Sequence, residues 1–204
     1  MNEPLHAERH VLRERLRDKL PEILIEAASV VLALLLALAV NEWHDRRQEN
    51  ERAFDARRAI LAELRANSGE IESSRAALKG IVQTLRDALD DSKPAATKLQ
   101  INLGISLLSA AAWHAALATQ ASQRIDFDWI TRIAKVYELQ ENFLRMQNAA
   151  IDQLAALPPD GGSGAHQVAA LLVPRFNALE QLSEGLARSY DEVLGEQTAE
   201  ANKP

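Results

Sequence analysis

The stretch "EAASVVLALLLALAVNEWHDRRQ", Glu26–Gln48, runs from a carboxylate through fourteen uncharged residues to Val40, then past Trp43 to a pair of arginines. Three readings compete for it: a membrane span, the core of an export signal, and a buried helix. Ile23 to Val40 is eighteen residues with a single charge, Glu26. At ~1.5 Å per residue such a helix is roughly 27 Å long, against about 30 Å for a hydrocarbon core. Ala33 to Val40 has no polar face in any helical projection, whereas a core helix of a small domain usually keeps one. Asn41, Glu42 and Trp43 mark an abrupt exit, with the indole at the level of an interfacial aromatic and Arg46 and Arg47 one turn beyond. The pattern predicts a transmembrane helix over 23–40, with Trp43, Arg46 and Arg47 as membrane-interface residues. Glu26 joins them, because it lies about 4.5 Å past Ile23, where it reaches headgroups or takes a proton.

The export alternative has a pattern of its own. Arg13, Arg15, Arg17 and Lys19 make a basic n-region, Ala27–Leu36 an h-region, and Ala37-Leu38-Ala39 a small-x-small cleavage site. Against it, the residues before the apolar run are long for a signal, carry as many acids as bases, and put Leu12, Leu16 and Leu20 on one stripe. An uncleaved signal-anchor is therefore favoured over cleavage after Ala39. Basic residues are equal in number on the two flanks. Four of the N-terminal ones crowd into seven residues, and a long C-terminal part translocates largely regardless of charge. The expectation is a single-pass protein of a bacterial inner membrane, N-terminus in the cytoplasm and C-terminal domain in the periplasm.

Composition agrees with a span plus a modest domain. The chain has 204 residues, 47% hydrophobic and 25% charged. A net charge of -6, with arginines interleaved among acids, excludes nucleic acid as a partner. The absence of cysteine excludes disulfides, thiolate nucleophiles and Cys metal sites.

Beyond the membrane the chain reads as all-α. A seven-residue register runs from Val40 through Trp43, Arg47, Asn50, Phe54, Arg57, Leu61, Leu64, Ser68, Ile71, Arg75, Leu78, Val82, Leu85 and Leu89, and "DDSKP" stops it near Pro94. This predicts a transmembrane helix continuing into one long helix that packs with two or three others as an antiparallel bundle. Its seam is polar near the membrane and apolar from Leu78, so the proximal part reads as a stalk. "KLQINLGISLL" alternates Leu99, Ile101, Leu103, Ile105 and Leu107 with polar or small residues, the period of a half-buried strand. No second strand-like run exists to pair with it, and Leu99, Leu103 and Leu107 also share a helical face, so 98–108 is a helix or an extended connector. Asp126 or Asp128 caps a helix bearing Ile130, Ile133, Tyr137, Leu144, Ile151, Leu154 and Leu157, which ends at "PPDGGSG". With no Lys-Ser/Thr after them, those glycines make an inter-helix loop rather than a phosphate loop. A last helix carries Leu172, Phe176, Leu179, Leu186, Tyr190 and Val193. The expected divisions are an amphipathic segment at 1–22, the span at 23–40, a bundle domain at 41–194 whose first part, 41–53, is the stalk, and an unstructured tail at 195–204.

No residue pattern supports catalysis, a cofactor or a metal. His6, His10, His44, His114 and His166 fall in different segments, without an HExxH or Glu-x-x-His pairing. Glu138 and Glu141 pair with Arg145 on a helix surface. His114 beside Trp113 is the most interesting polar group, and Trp113, His114 and Tyr137 are the candidate ligand contacts.

"LALLLALAVNEWHDRR" followed by "AILAELRAN" resembles a family of small bacterial single-pass membrane proteins of uncharacterised function. Their apolar N-terminal helix ends Ala-Leu-x-hydrophobic-Asn-x-Trp and leads into a charged helix with Glu-Leu-x-x-Asn. The matching positions are Ala37, Leu38, Val40, Asn41, Trp43, Glu63, Leu64 and Asn67; a second, looser match runs through Trp113, Ala116, Val136 and Tyr137. Ala33 and Ala39 stand where those relatives have Gly and Gln. The resemblance implies a location and an architecture, and no activity.

Two function classes follow. A membrane-anchored interaction or scaffold module, whose partners are the lipid bilayer and an unidentified protein, is favoured. The alternative is a ligand-sensing bundle around Trp113, His114 and Tyr137 that acts through a partner; a cleaved, soluble periplasmic protein ranks third. An enclosed pocket at His114 would speak for sensing, and a filled core there against it.

Overall fold

The computed structural model describes the backbone of residues 5–92, 99–157 and 164–201, and side chains within 24–92, 99–157 and 164–196. Pro94, most of the glycine loop, and the stripe of Leu12, Leu16 and Leu20 lie outside the described side chains. The fold is all-helical: α1 is Leu5–Leu89, α2 Ala111–Ala118, a 3-10 turn Ala121–Arg124, α3 Phe127–Ala155 and α4 Ala165–Ala201. The chain divides into two compact units, 1–51 and 52–204.

In the first unit every described side chain from Leu24 to Gln48 is exposed. The most apolar eighteen-residue window of α1 has mean hydropathy 2.3, and none of it is buried. The polar turns that follow are held by pairs one turn apart: Asn41 to Asp45, Arg46 to Glu42 and Arg47 to Glu51.

In the second unit burial on α1 begins at Ala53 and recurs at Ile60, Leu64, Asn67, Ile71, Ser74, Leu78, Ile81 and Leu85, in steps of three, four or seven. This seam shares Leu64, Ile71, Leu78, Val82 and Leu85 with the register expected from sequence, but before Leu78 it lies one residue earlier at alternate positions, at Ala53, Ile60, Asn67 and Ser74. Phe54 is exposed, and Leu61, Ser68 and Arg75 are half-buried. The shift has a physical cause: Asn67 and Ser74 are turned inward by bonds to another segment, and they carry the buried face with them. Leu78, Val82 and Leu85 join Ile133 and Phe143 of α3 and Leu172, Phe176 and Leu179 of α4 in one core. All six apolar positions expected on α4 are buried.

Helix α4 runs antiparallel to both its neighbours. Arg86 donates to Asn177 at 2.8 Å and Lys79 lies 3.8 Å from Glu184, while Arg175 donates to the Ala149 carbonyl at 2.8 Å and Arg132 lies 3.6 Å from Glu196. Helices α1 and α3 instead run in the same direction, since Glu63 meets Tyr137 and Asn67 meets Gln140. The return leg is supplied by residues 99–110, which belong to no helix. Ser109 bonds Asn67 and Ser106 bonds Ser74, so three connector residues cover seven residues of α1. Three extended residues and seven helical ones both span about 10 Å, so the segment is an extended connector. Leu99, Ile101 and Leu103 are half-buried, but beyond Gly104 the phase slips: Ser106 is buried while Ile105 and Leu107 face outward.

Asp126 is the cap of α3, accepting from the Trp129 amide at 2.8 Å. At the other end α4 continues past Gly195 to Ala201, so the segment expected to be an unstructured tail is helical that far. One glycine costs about 1 kcal/mol relative to Ala, and the following Glu, Gln and Ala residues favour helix. Arg132 anchors that last stretch through Glu196.

Candidate functional site: a buried polar network

The buried polar residues of the second unit include Asn67, Ser74, Ser106, Gln140 and Gln147. They exist to satisfy the connector. An extended chain laid in a groove between two helices carries N–H and C=O groups that no strand pairs, and leaving them dry is costly. The Asn67 amide supplies both partners for Ser109, accepting from its N–H at 3.0 Å and donating to its carbonyl at 2.7 Å. Gln147 does the same for Ser106, accepting at 2.9 Å and donating at 3.2 Å. Between them the Leu107 amide donates to Glu70 at 3.3 Å. The residues therefore alternate in direction, Ser106 towards α3 and Leu107 and Ser109 towards α1, as an extended backbone requires.

Gln140 joins the three helices. Its Nε2 donates to the Ser109 carbonyl at 3.0 Å, and its Oε1 accepts from Asn67 at 3.0 Å and from the Tyr190 hydroxyl of α4 at 2.7 Å. The Ser106 hydroxyl donates to Ser74 at 2.8 Å, which donates to the Glu70 and Ile71 carbonyls. A network satisfied at this many positions sets register as well as stability.

Glu63 closes the N-terminal end of the network on α1. Its Oε2 accepts from the Ser109 hydroxyl at 2.6 Å and the Ala112 amide at 3.0 Å, and its Oε1 accepts from the Tyr137 hydroxyl at 2.6 Å. Helix α2 has no side-chain cap at Ala110, so a carboxylate from α1 serves its first turn instead. Burial pushes the Glu63 carboxyl up, but the donors from Ser109, Tyr137, Ala112 and Trp113 together outweigh it and hold the group below the usual carboxylate value. Burial first, then the bond to Glu63, pushes the Tyr137 hydroxyl well above its ordinary range; burial does the same to Tyr190.

Of the three candidate ligand contacts, the structure brings two together. Trp113 and Tyr137 stack with ring centroids 5.4 Å apart and planes 14° apart, both buried. His114, next along α2, faces solvent. The Tyr137 hydroxyl of this stacked pair is taken up by Glu63. An open groove of about 480 Å³ runs beside α2, floored by alanines such as Ala56, Ala59, Ala115 and Ala116 and edged by Arg52 and Asp55; His114 does not line it. Among the described residues no group of three or more metal-ligating side chains occurs.

The four membrane-interface candidates lie on the first unit. Trp43 and Arg47 make a cation–π contact at 5.9 Å, Arg46 pairs with Glu42 at 2.8 Å, and the Glu26 carbonyl accepts from Ser29. Sequence reasoning did not single out Ser74, Ser106, Ser109, Gln140 or Gln147. Their signal was an interruption of the apolar stripes by amides and hydroxyls seven residues apart, Asn67 and Ser74 on α1 and Gln140 and Gln147 on α3. Of the residues noted above for a resemblance, Glu63, Asn67, Trp113 and Tyr137 fall at this network, and Leu64, Ala116 and Val136 are buried. No protein-family model matches the chain, and neither a curated protein nor a solved structure matches it.

Proposed function

We propose that this chain is a single-pass, membrane-anchored helical interaction module, with residues 23–40 in a bacterial inner membrane, the N-terminus in the cytoplasm and the bundle in the periplasm. The carrying observation is the bare helix: from Leu24 to Val40 every side chain is exposed, including ten large aliphatic ones on all faces. A soluble protein rarely leaves an apolar surface of that extent uncovered, and a hydrocarbon phase covers it without a partner chain. Trp43, with Arg47 against its ring, and Arg46 follow the apolar run as interfacial anchors do.

A binding role rather than a catalytic one is supported by how Glu63 and Tyr137 are used. The carboxylate is engaged by Ser109, Ala112 and Tyr137 and the hydroxyl of Tyr137 is committed to it, so neither is poised to move a proton. The buried stack of Trp113 on Tyr137, with His114 turned to solvent outside it, favours interaction over ligand sensing. Convergence of the Glu63, Asn67, Trp113 and Tyr137 positions supports membership in the small single-pass family, since those residues form one unit here.

The test is fractionation with intact mass. Full-length protein should stay in the membrane fraction through carbonate and high salt; release by either wash, or a mature chain beginning at Val40, would overturn the anchor. A reporter active only outside the cytoplasm, fused after Pro204, should be active, and a cytoplasmic reporter active instead would reverse the orientation.

A further inference from the structure

The α1–α3 groove treats residues 104–110 as a bound peptide. We propose that this groove is a receptor for an extended polypeptide backbone, occupied in cis by the connector, and that an extended segment of a partner protein takes the connector's place. The inference rests on the reading of the chain as an interaction module and names what such a partner presents.

Three features of the seat carry it. First, recognition is by main chain: Asn67 and Gln147 each bond both the N–H and the C=O of one residue, and Glu70 takes the amide of Leu107. Because α1 and α3 are parallel, Asn67 and Ser74 face Gln140 and Gln147 at the same seven-residue spacing, and that spacing admits three extended residues and excludes a helix. Second, the bonded side chains are hydroxyls: Ser109 donates to Glu63 at 2.6 Å. Ser106 is 1% exposed and its hydroxyl is held by Ser74, so the occupant needs a small hydroxyl residue there. Third, two of the connector's three large side chains at this seat face outward, Leu107 82% exposed and Ile105 56% exposed, while Leu108 packs against the core, so the core demands one apolar side chain there rather than this particular segment.

The groove also limits the charge of its occupant. Glu63 and Glu70 line it as acceptors, and the segment it holds belongs to a run, Leu99–Gln123, without Asp, Glu, Lys or Arg. An acidic peptide would meet both carboxylates. The partner segment is thus extended, not acidic, and carries Ser or Thr at both clamped positions, three residues apart.

The probe is a fluorescent peptide with the sequence of residues 99–110, added to the full-length chain in detergent micelles. Ser106→Leu overfills the buried position and weakens the cis connector while the peptide keeps its serine. Saturable anisotropy with S106L, weakened at least tenfold by adding Gln147→Ala, and absent for a peptide with Leu at the same position, is the expected result. No binding to S106L with a helical spectrum like wild type overturns the receptor, as does a shift of S106L to a dimer without peptide binding, which would make a second copy the occupant. Should S106L fail to fold, hydrogen exchange on the wild type decides: the Ser106 and Ser109 amides should exchange at least tenfold faster than those of Ile133 and Leu179, and equal rates overturn the proposal. Membrane retention is read separately, so loss of peptide binding with the anchor intact refutes the groove alone.

Discussion

Replacing Asn67 separates a structural amide from a merely buried one. Its side chain is 3% exposed and makes three bonds: from the Ser109 amide, to the Ser109 carbonyl and to Gln140. In Asn67→Ala the Ser109 carbonyl keeps Gln140 as donor and Gln140 keeps Tyr190, so one group alone, the Ser109 N–H, loses its acceptor outright. Two bonds with surviving partners cost about 1 kcal/mol each and one orphaned, part-buried amide about 1–3, so the loss is about 3–5 kcal/mol. Against a typical stability of about 5–15 kcal/mol this is large, equal to a fall of roughly 6–20 °C in Tm for a unit of this size. Asn67→Asp is nearly isosteric yet should cost more. It keeps the acceptor for Ser109 but aims a carboxylate oxygen at the Ser109 carbonyl and at Gln140 Oε1, two acceptors in a buried site. The assay is urea unfolding of the full-length variants in one detergent, followed by circular dichroism, with the Asn67→Ala/Gln140→Ala double variant less destabilised than the sum of the singles. An Asn67→Ala loss under 0.5 kcal/mol, or Asn67→Asp more stable than Asn67→Ala, would refute the network as the element that seats the connector.

Leu85 is fully buried, so Leu85→Asp should abolish cooperative unfolding of the bundle, because a buried unpaired carboxylate costs several kcal/mol; the variant should still sediment with membranes. Trp113→Ala should lose about 3–5 kcal/mol through the stacked pair with Tyr137, while His114→Ala next to it stays within about 0.5 kcal/mol; similar losses for both would contradict their placement. The folded Glu63 carboxyl lies below its ordinary value of 4.5, so its contribution is present above that pH and is lost as pH falls through the folded value. The stability difference between wild type and Glu63→Gln should therefore be flat above pH 4.5 and shrink below it; a difference that grows on acidification would reverse the sign. Single cysteines at Leu78 and Leu85 should give no intermolecular disulfide in the folded chain, since both side chains are buried against α4.

Local patterns in the chain were enough for the helical class, the bare apolar segment and the α4 core stripe, because each is written in consecutive residues. Leu172, Phe176, Leu179, Leu186, Tyr190 and Val193 face inward at the spacing a helix dictates, whatever they pack against. The exit at Trp43 is likewise a local change of solvent preference. The polar network could not be read this way. Asn67, Gln140 and Gln147 look like solvated positions in an apolar stripe, and only the crossing of an extended backbone between α1 and α3 makes them interior. The same crossing decided the parallel course of α1 and α3, the conformation of 99–110, and the one-residue offset of the α1 seam. Those depend on bonds between residues 31 to 74 positions apart, and a chain declares such pairings only when the groove that demands them has formed.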